Sequence, residues 1–273
     1  MQMVDGGQQA PVYHPISKVQ CISYLKPGPR LKNVDWAIKQ EMPRLMGTLA
    51  IVAGGPTLNN TFEEAKKFPF VMTCGSAHDH AIKLGIRPTY HIDCDPAKTQ
   101  WKQYRQNIPG TIYLIASRCD KSLFKYLRNG RDVRLWHMWE EDLGKPVFRG
   151  EIAYICGATV VLSAIPIAMA LGFNDFHFFG FDSSFENEKE HHAYPQPEFS
   201  KIMTAKIGDP INGREYKTTA TWLGQAQQFE EMQNKMGNMF RSTFYGDSMM
   251  SAMQKERERQ LALLNGVQNE SKS

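Results

Sequence analysis

The strongest constraint on the fold is a rhythm of short apolar runs, each followed by turn residues and then by a helix-like stretch. Leu49–Ala53, Phe70–Cys74, Thr89–Asp93, Thr111–Ala116, Val133–Met138 and Phe176–Gly180 are such runs. Helical patterns follow at about Asn60–Lys67, Ala77–Leu84, Ala97–Gln106, Lys121–Arg128 and, after a linker, Ala158–Leu171. Several runs are apolar throughout rather than alternating, as a strand covered on both faces must be. Such strands alternating with helices predict an α/β, Rossmann-like fold, a mostly parallel sheet with helices on both faces.

Outside this core the pattern changes. Residues 1–14 read as a loose tail, and Ile16–Met46 carries two weak helical patterns split by Lys26-Pro27-Gly28-Pro29. Ile202–Ile207 and Glu215–Thr218, joined across Gly208–Gly213, predict a β-hairpin. A helix over Thr219–Met236, a returning strand within Asn238–Tyr245 and a last helix over Asp247–Leu264 complete the reading. The expected organisation is an N-terminal tail and helical extension over 1–46, a Rossmann-like domain over 47–247, and a C-terminal helix with a frayed tail over 248–273.

A chain of 273 residues can bury a full core without disulfides or a structural metal. Hydrophobic residues at 42% and charged residues at 22% exclude wholesale disorder. Lys plus Arg is 32 against Asp plus Glu 28, a net charge of +4 that admits an anionic ligand but is too weak to argue for nucleic acid. The five cysteines form no CxxC pair, so no zinc ribbon is expected and a reducing, cytoplasmic compartment is the simplest reading. The first residues lack the basic start and apolar segment of a secretory signal. Tyr154–Asn174 is uncharged but is interrupted by Gly157, Pro166 and Gly172, so it reads as a buried helix rather than a membrane span.

In open parallel sheets ligands bind at the carboxyl ends of the strands. After the first run comes Gly54-Gly55-Pro56-Thr57, where glycines admit a close backbone approach and the following helix start offers N–H groups to an anion. It is neither a Walker loop nor a GxGxxG fingerprint, and it reads equally as a tight strand-to-helix turn. After the second run comes Gly75-Ser76; after the third, Asp93-Cys94-Asp95-Pro96. Two carboxylates at i, i+2 suit Mg²⁺ or the hydroxyls of a ribose, while Asp95 also reads as a helix cap. Ser117 and Arg118 follow the fourth run; Arg118 suits phosphate or a solvated loop alike, and no base stands beside Cys119 to make it a nucleophile. Gly157 and Thr159 open the long apolar helix, a second anion seat. Gly180-Phe181-Asp182 ends the sixth run, and His191-His192 follows in a polar loop. Adjacent histidines need help to face one ion and no third ligand is fixed by spacing, whereas a general base needs only one imidazole; the pair reads equally as solvated loop residues.

The segments IVAGGPTLNN, CGSAHDHAIKLGIRPTYHIDCDP, CGATVVLSAIPIAMALGFNDFHFFGFDSSF and HHAYPQP resemble, in this order, the MptE-like family. That family includes archaeal 6-hydroxymethylpterin diphosphokinases and bacterial motility accessory factors, which glycosylate flagellin. The same order is similar, more distantly, to sialyltransferases of glycosyltransferase family 42. The resemblance spans about residues 45–250. It implies that Gly54, Gly55, Pro56, Thr57, Asp95, Gly157 and Thr159 bind a nucleotide; Ser76 and Ser117 join them as candidates by their place at strand ends. It further implies Gly180 and Asp182 at the site, with Asp182 and His192 as catalytic candidates. The chain departs from the sialyltransferase pattern in reading Gly-Gly-Pro-Thr for Gly-x-Gly-Pro-Ser, and in carrying Cys156 where relatives have Gly or Ser.

The resemblance implies a nucleotide-dependent transferase, first a glycosyltransferase with a CMP-linked or similar sugar donor and a glycan or protein hydroxyl as acceptor. The alternative is a pyrophosphokinase that moves diphosphate from ATP to a pterin-like alcohol, with Mg²⁺ on Asp93 and Asp95. A third reading is an idle nucleotide-binding module whose last helix, with Met249, Met250, Met253 and Leu261, offers a partner face, unless those residues pack on the same domain; a homo-oligomer is also admitted.

Overall fold

The computed structural model describes residues 2–3, 32–33, 47–127, 130–139, 153–187, 190–196, 201–209 and 211–270. Two short strands precede the core, β1 (Gln2–Met3) and β2 (Lys32–Asn33). The helical patterns expected over Ile16–Met46 lie outside the described residues. From Gly47 the alternation is as expected: β3 (Gly47–Val52), α1 (Leu58–Ala65), β4 (Val71–Cys74), α2 (Ala77–Lys83), β5 (Tyr90–Asp93), β6 (Ile112–Ala116), α3 (Lys121–Leu127) and β7 (Asp132–Met138). Then come β8 (Ala153–Tyr154), α4 (Val160–Ala170), β9 (Phe173–Phe179), β10 (Met203–Ile207), β11 (Arg214–Thr218), α5 (Ala220–Met236), β12 (Arg241–Tyr245) and α6 (Met249–Glu270).

Among the described residues the main sheet has nine strands, in the order β12-β9-β3-β4-β5-β6-β7-β2 with β8 also on β7. Its paired strands are parallel. The hairpin β10–β11 forms with β1 a separate antiparallel sheet. The chain builds the main sheet outward from β3 to β7, then returns to lay β9 on the other side of β3 and β12 beyond it. The reversal between β3 and β9 is the switch point, where two connections leave in opposite directions and open a crevice.

The strand β3 shows why continuous apolar runs are needed. Leu49 and Ile51 enter one core, with α4 and the aromatic face of α5. Ala50 and Val52 enter the other, with Leu58 and Ala65 of α1. All four are fully buried. The helix α4 buries Val161, Leu162, Ala164, Ile165, Ile167 and Ala168 as a core element. Among the described residues no helix is long and apolar enough to cross a membrane.

Two expectations need correction. The stretch 97–106 is no α-helix; only Gln100–Gln103 coils, as a short 3₁₀ turn. One aspartate takes backbone N–H groups that an α-helix would use, and another draws in side chains. Asp79 accepts the N–H groups of Arg105 (2.8 Å) and Gln106 (3.0 Å), and Asp93 draws Gln100 and Tyr104 inward. The methionines of the last helix are not a free partner face either. Met249 and Met250 are buried, and Met253 packs against the same core. Leu261 is exposed.

Candidate active site

Parallel topology collects every strand-end motif on one edge of the sheet, and the crevice between β3 and β9 is where they converge most closely. The two chains nearly touch there. Ala53 N–H donates to the Phe179 carbonyl (2.8 Å) and Gly55 N–H to that of Gly180 (2.7 Å). A Cβ on Gly55 would collide with the Gly180 carbonyl at 2.6 Å and with the Asp182 carboxylate, so the glycine is required by the protein's own packing.

Thr57 opens α1, but its N–H is not an open anion seat. That N–H donates to Asp182 Oδ2 (2.8 Å), and the Thr57 hydroxyl donates to Oδ1 (2.6 Å). The next N–H groups are satisfied within the turn, Leu58 to Gly55 and Asn59 to Pro56, both at 3.1 Å. The group seated at this helix start is therefore the Asp182 carboxyl itself. Burial pushes the Asp182 carboxyl up to about 7, against the two Thr57 donors. The first turn of α6 closes the arrangement: Met250 N–H reaches the Asp182 carbonyl (3.3 Å) and Met249 N–H the Ser184 hydroxyl (3.1 Å). Between them Ser183 adopts a left-handed backbone with φ of 52°. Its hydroxyl accepts from Gln225 (2.8 Å) and its carbonyl from Thr218 (2.7 Å). Backbone strain of this kind is held only where the surroundings over-determine it.

His191–Tyr194 folds over the glycine loop. Ala193 N–H donates to the Gly54 carbonyl (3.0 Å), Asn59 donates to the Ala193 carbonyl (2.9 Å), and the Tyr194 and Ser76 hydroxyls lie 2.6 Å apart. A Cβ on Gly54 would meet Tyr194 Oη at 2.5 Å. Beneath the loop is a cavity of about 110 Å³, bordered by Gly54, Gly55, Asp182, His192, Trp222 and Val161 of α4. Outside it lies a groove of about 330 Å³, lined among others by Asn59, Glu186, Glu190 and again His192. His192 borders both. Burial, reinforced by the neighbouring His191, lowers its pKa to about 4, so its ring is neutral at neutral pH.

The helix start of α4 differs from that of α1. Thr159 flanks it in extended conformation without capping it, and Thr159 Oγ1 is buried with no hydrogen-bond partner among the described residues. Val161 borders the cavity, and Val160 lies within 4 Å of where a Cβ on Gly75 would stand. Gly54, Gly55, Ser76, Asp182, His192 and the α4 start thus meet around one crevice. Asp95 and Ser117 stand farther along the edge, beyond the residues that line the cavity.

The acid pair is not assembled for a metal. Asp93 is fully buried, accepting from Asp95 N–H (2.9 Å) at one oxygen and from Gln100 (2.7 Å) and the Tyr104 hydroxyl at the other. Asp95 turns to the Ala97 N–H (2.8 Å). Among the described residues no group of three or more His, Cys, Asp or Glu could hold a metal ion. Asp93 and Asp95 therefore do not fit Mg²⁺: the first has its oxygens engaged and the second points to its own turn.

The sequence reading passed over Tyr194, Trp222 and Gln225. Tyr194 lies in the HHAYP segment and was legible there as a neighbour of His192. Trp222 and Gln225 sit on α5, and nothing local in the sequence points them at the crevice.

A family model described as 6-hydroxymethylpterin diphosphokinase MptE-like matches residues 30–188. The MAf glycosyltransferase of Magnetospirillum magneticum AMB-1 has a similar structure, with a TM-score of 0.59 at 15% identity over 84% of this chain. The chain spans 36% of that protein. A mammalian sialyltransferase gives a TM-score of 0.42 at 10% identity, covering 84% of this chain and 86% of its own. No curated protein is significantly similar to the chain.

Proposed function

The chain belongs to the 6-hydroxymethylpterin diphosphokinase MptE-like family, and from that premise we propose that it is a nucleotide-dependent glycosyltransferase using a CMP-activated or similar nucleotide sugar. The observation that carries this reading is His192, a neutral imidazole set between a cavity at the switch point and a groove outside it. In this reading the donor enters the crevice and the acceptor, a glycan or protein hydroxyl, lies in the groove. The α4 start, with Gly157 and Thr159, holds the phosphate; its helix dipole and the Thr159 hydroxyl, unpartnered among the described residues, suit an anion better than Thr57, which Asp182 already occupies. Asp95 orients the ribose or base. His192 accepts the acceptor's proton or steadies the leaving phosphate. Asp182 braces the crossing. A cavity of about 110 Å³ is smaller than the roughly 300 Å³ of a small-molecule site, so the His191–Tyr194 loop lifts to admit the nucleotide.

The family description also favours a second reading, diphosphate transfer from ATP to a pterin alcohol. It requires a divalent ion, and Asp93 with Asp95 does not fit one.

A thermal-shift series with CMP, CDP, UDP, GDP and ATP, each with Mg²⁺ and with EDTA, separates the readings. A ligand at 100 times its Kd stabilises by about 2.7 kcal/mol. CMP stabilisation that survives EDTA is the expected result. Stabilisation by ATP alone, and only with Mg²⁺, moves the assignment to diphosphate transfer. Silence across the panel overturns both.

A further inference from the structure

Away from the crevice, the sheet contains a layer of buried polar side chains that the proposed chemistry does not use. Thr73 of β4, His91 of β5 and Tyr113 of β6 are side by side in register. His78 of α2 and Tyr104 after the 3₁₀ turn close over them, and all five are essentially fully buried. They form one chain of contacts. Tyr113 Oη lies 3.1 Å from His78 Nε2; His78 Nδ1 lies 2.9 Å from Thr73 Oγ1; Thr73 Oγ1 lies 3.0 Å from His91 Nδ1; His91 Nε2 lies 2.9 Å from Tyr104 Oη. Tyr104 donates to Asp93 Oδ2.

The direction of every link follows from the end group. The Asp93 carboxylate only accepts, and three donors converge on it. Tyr104 spends its proton there, so its oxygen accepts from His91 Nε2–H. His91 Nδ1 then accepts from Thr73, whose oxygen accepts from His78 Nδ1–H, and His78 Nε2 accepts from Tyr113. Burial keeps both imidazoles neutral, which a chain of this kind requires. An unpaired polar group at any of these positions would be costly, so the layer holds as a unit.

What the chain ends on is the turn after β5. Asp93 Oδ1 holds the Asp95 N–H, and its other oxygen draws in Gln100 and Tyr104, so residues 95–104 are wrapped around one carboxylate. We propose that Asp93 is a positioning residue: through a one-way hydrogen-bond chain running from Tyr113 to its carboxylate, it fixes the Asp95–Pro96 turn in the pose that meets the nucleotide's ribose or base. This rests on the assignment of Asp95 made under the proposed function.

The test is long-range ¹H–¹⁵N NMR of the histidine rings in the full chain, with CMP titrations of the same samples. In the wild type His91 carries its proton on Nε2 and His78 on Nδ1. In Asp93→Asn the amide nitrogen donates to Tyr104, so every link reverses: His91 moves its proton to Nδ1 and His78 to Nε2. The same variant binds CMP about tenfold more weakly, the scale of one charge-assisted contact, with far-UV circular dichroism unchanged. Should Asp93→Asn not fold, Tyr104→Phe removes the last donor at nearly constant volume and weakens CMP binding in the same direction. Wild-type rings with the opposite tautomers, or no reversal in Asp93→Asn, overturn the chain. Reversal with undiminished CMP affinity overturns the positioning role. Failure of the wild type to bind any nucleotide overturns the function, and the positioning role with it, while the tautomers still judge the chain.

Discussion

Asp182 and Asp93 stand at the carboxyl ends of two parallel strands and are equally buried. Each is held by a backbone N–H and a hydroxyl. Asp182 takes its partners from Thr57, 125 residues away, and so ties two strand ends together across the switch point. Asp93 takes its partners from the next eleven residues and organises its own loop. The first borders the crevice cavity; the second is not among the residues that line it. Two acids that look alike in sequence as ligand-binding groups are both bound by the protein: the long-range one ties two strand ends together beside the cavity, and the local one orders the loop after its own strand.

The largest expected effect tests whether the crossing, rather than the β5 loop, is the reaction centre. His192→Ala lowers turnover by about 10²–10⁴ with little loss of stability, since His192 is only partly buried and its Nδ1 has no partner among the described residues. Unchanged turnover would remove it from the chemistry. Next comes Asp182→Ala, which strands the Thr57 N–H and hydroxyl in the interior. A loss of about 3 kcal/mol in urea unfolding is expected. A loss below about 0.5 kcal/mol, the range of ordinary surface changes, would show that the brace carries nothing.

A smaller effect follows from pH. Burial raises the Asp182 pKa in the folded chain to about 7, from the ordinary carboxyl value of 3.8. A group shifted upward stabilises the fold at low pH, and that contribution is lost as pH rises through the folded value. The stability margin of the wild type over Asp182→Asn is therefore greatest below about pH 4, shrinks between about 4 and 7, and is flat above. A margin that grows with pH would mean that the Thr57 donors outweigh burial and keep the carboxylate ionised.

Much of this was legible in the sequence, for a physical reason. Doubly covered strands must be apolar throughout, so Leu49–Ala53 and Phe70–Cys74 declare themselves, and Gly54-Gly55 marks the tight exit from β3. The stretch 97–106 misled because its helical pattern is local, whereas the carboxylates of Asp79 and Asp93 that claim its backbone and side chains reach it from elsewhere. The bond between Thr57 and Asp182 spans a separation over which no pattern rule operates. The polar layer did leave a trace. His91 and Asp93 alternate with Tyr90 and Ile92 in a strand that is wholly buried, and buried polar groups at every second position must find one another.

The smallest effect decides how the crevice opens. Tyr194 bonds Ser76 at 2.6 Å and stands where any side chain at residue 54 would go. Tyr194→Phe removes one hydrogen bond from the closed loop, about 1 kcal/mol. If the loop must lift before a nucleotide enters, the open fraction rises and apparent CMP affinity increases, by up to about fivefold. If Tyr194 instead contacts the nucleotide, affinity falls. The sign of the change, read by calorimetry, separates a loop that guards the site from one that forms it, and so shows whether the long-range crossing at Asp182 is held closed by the same residues that bind the donor.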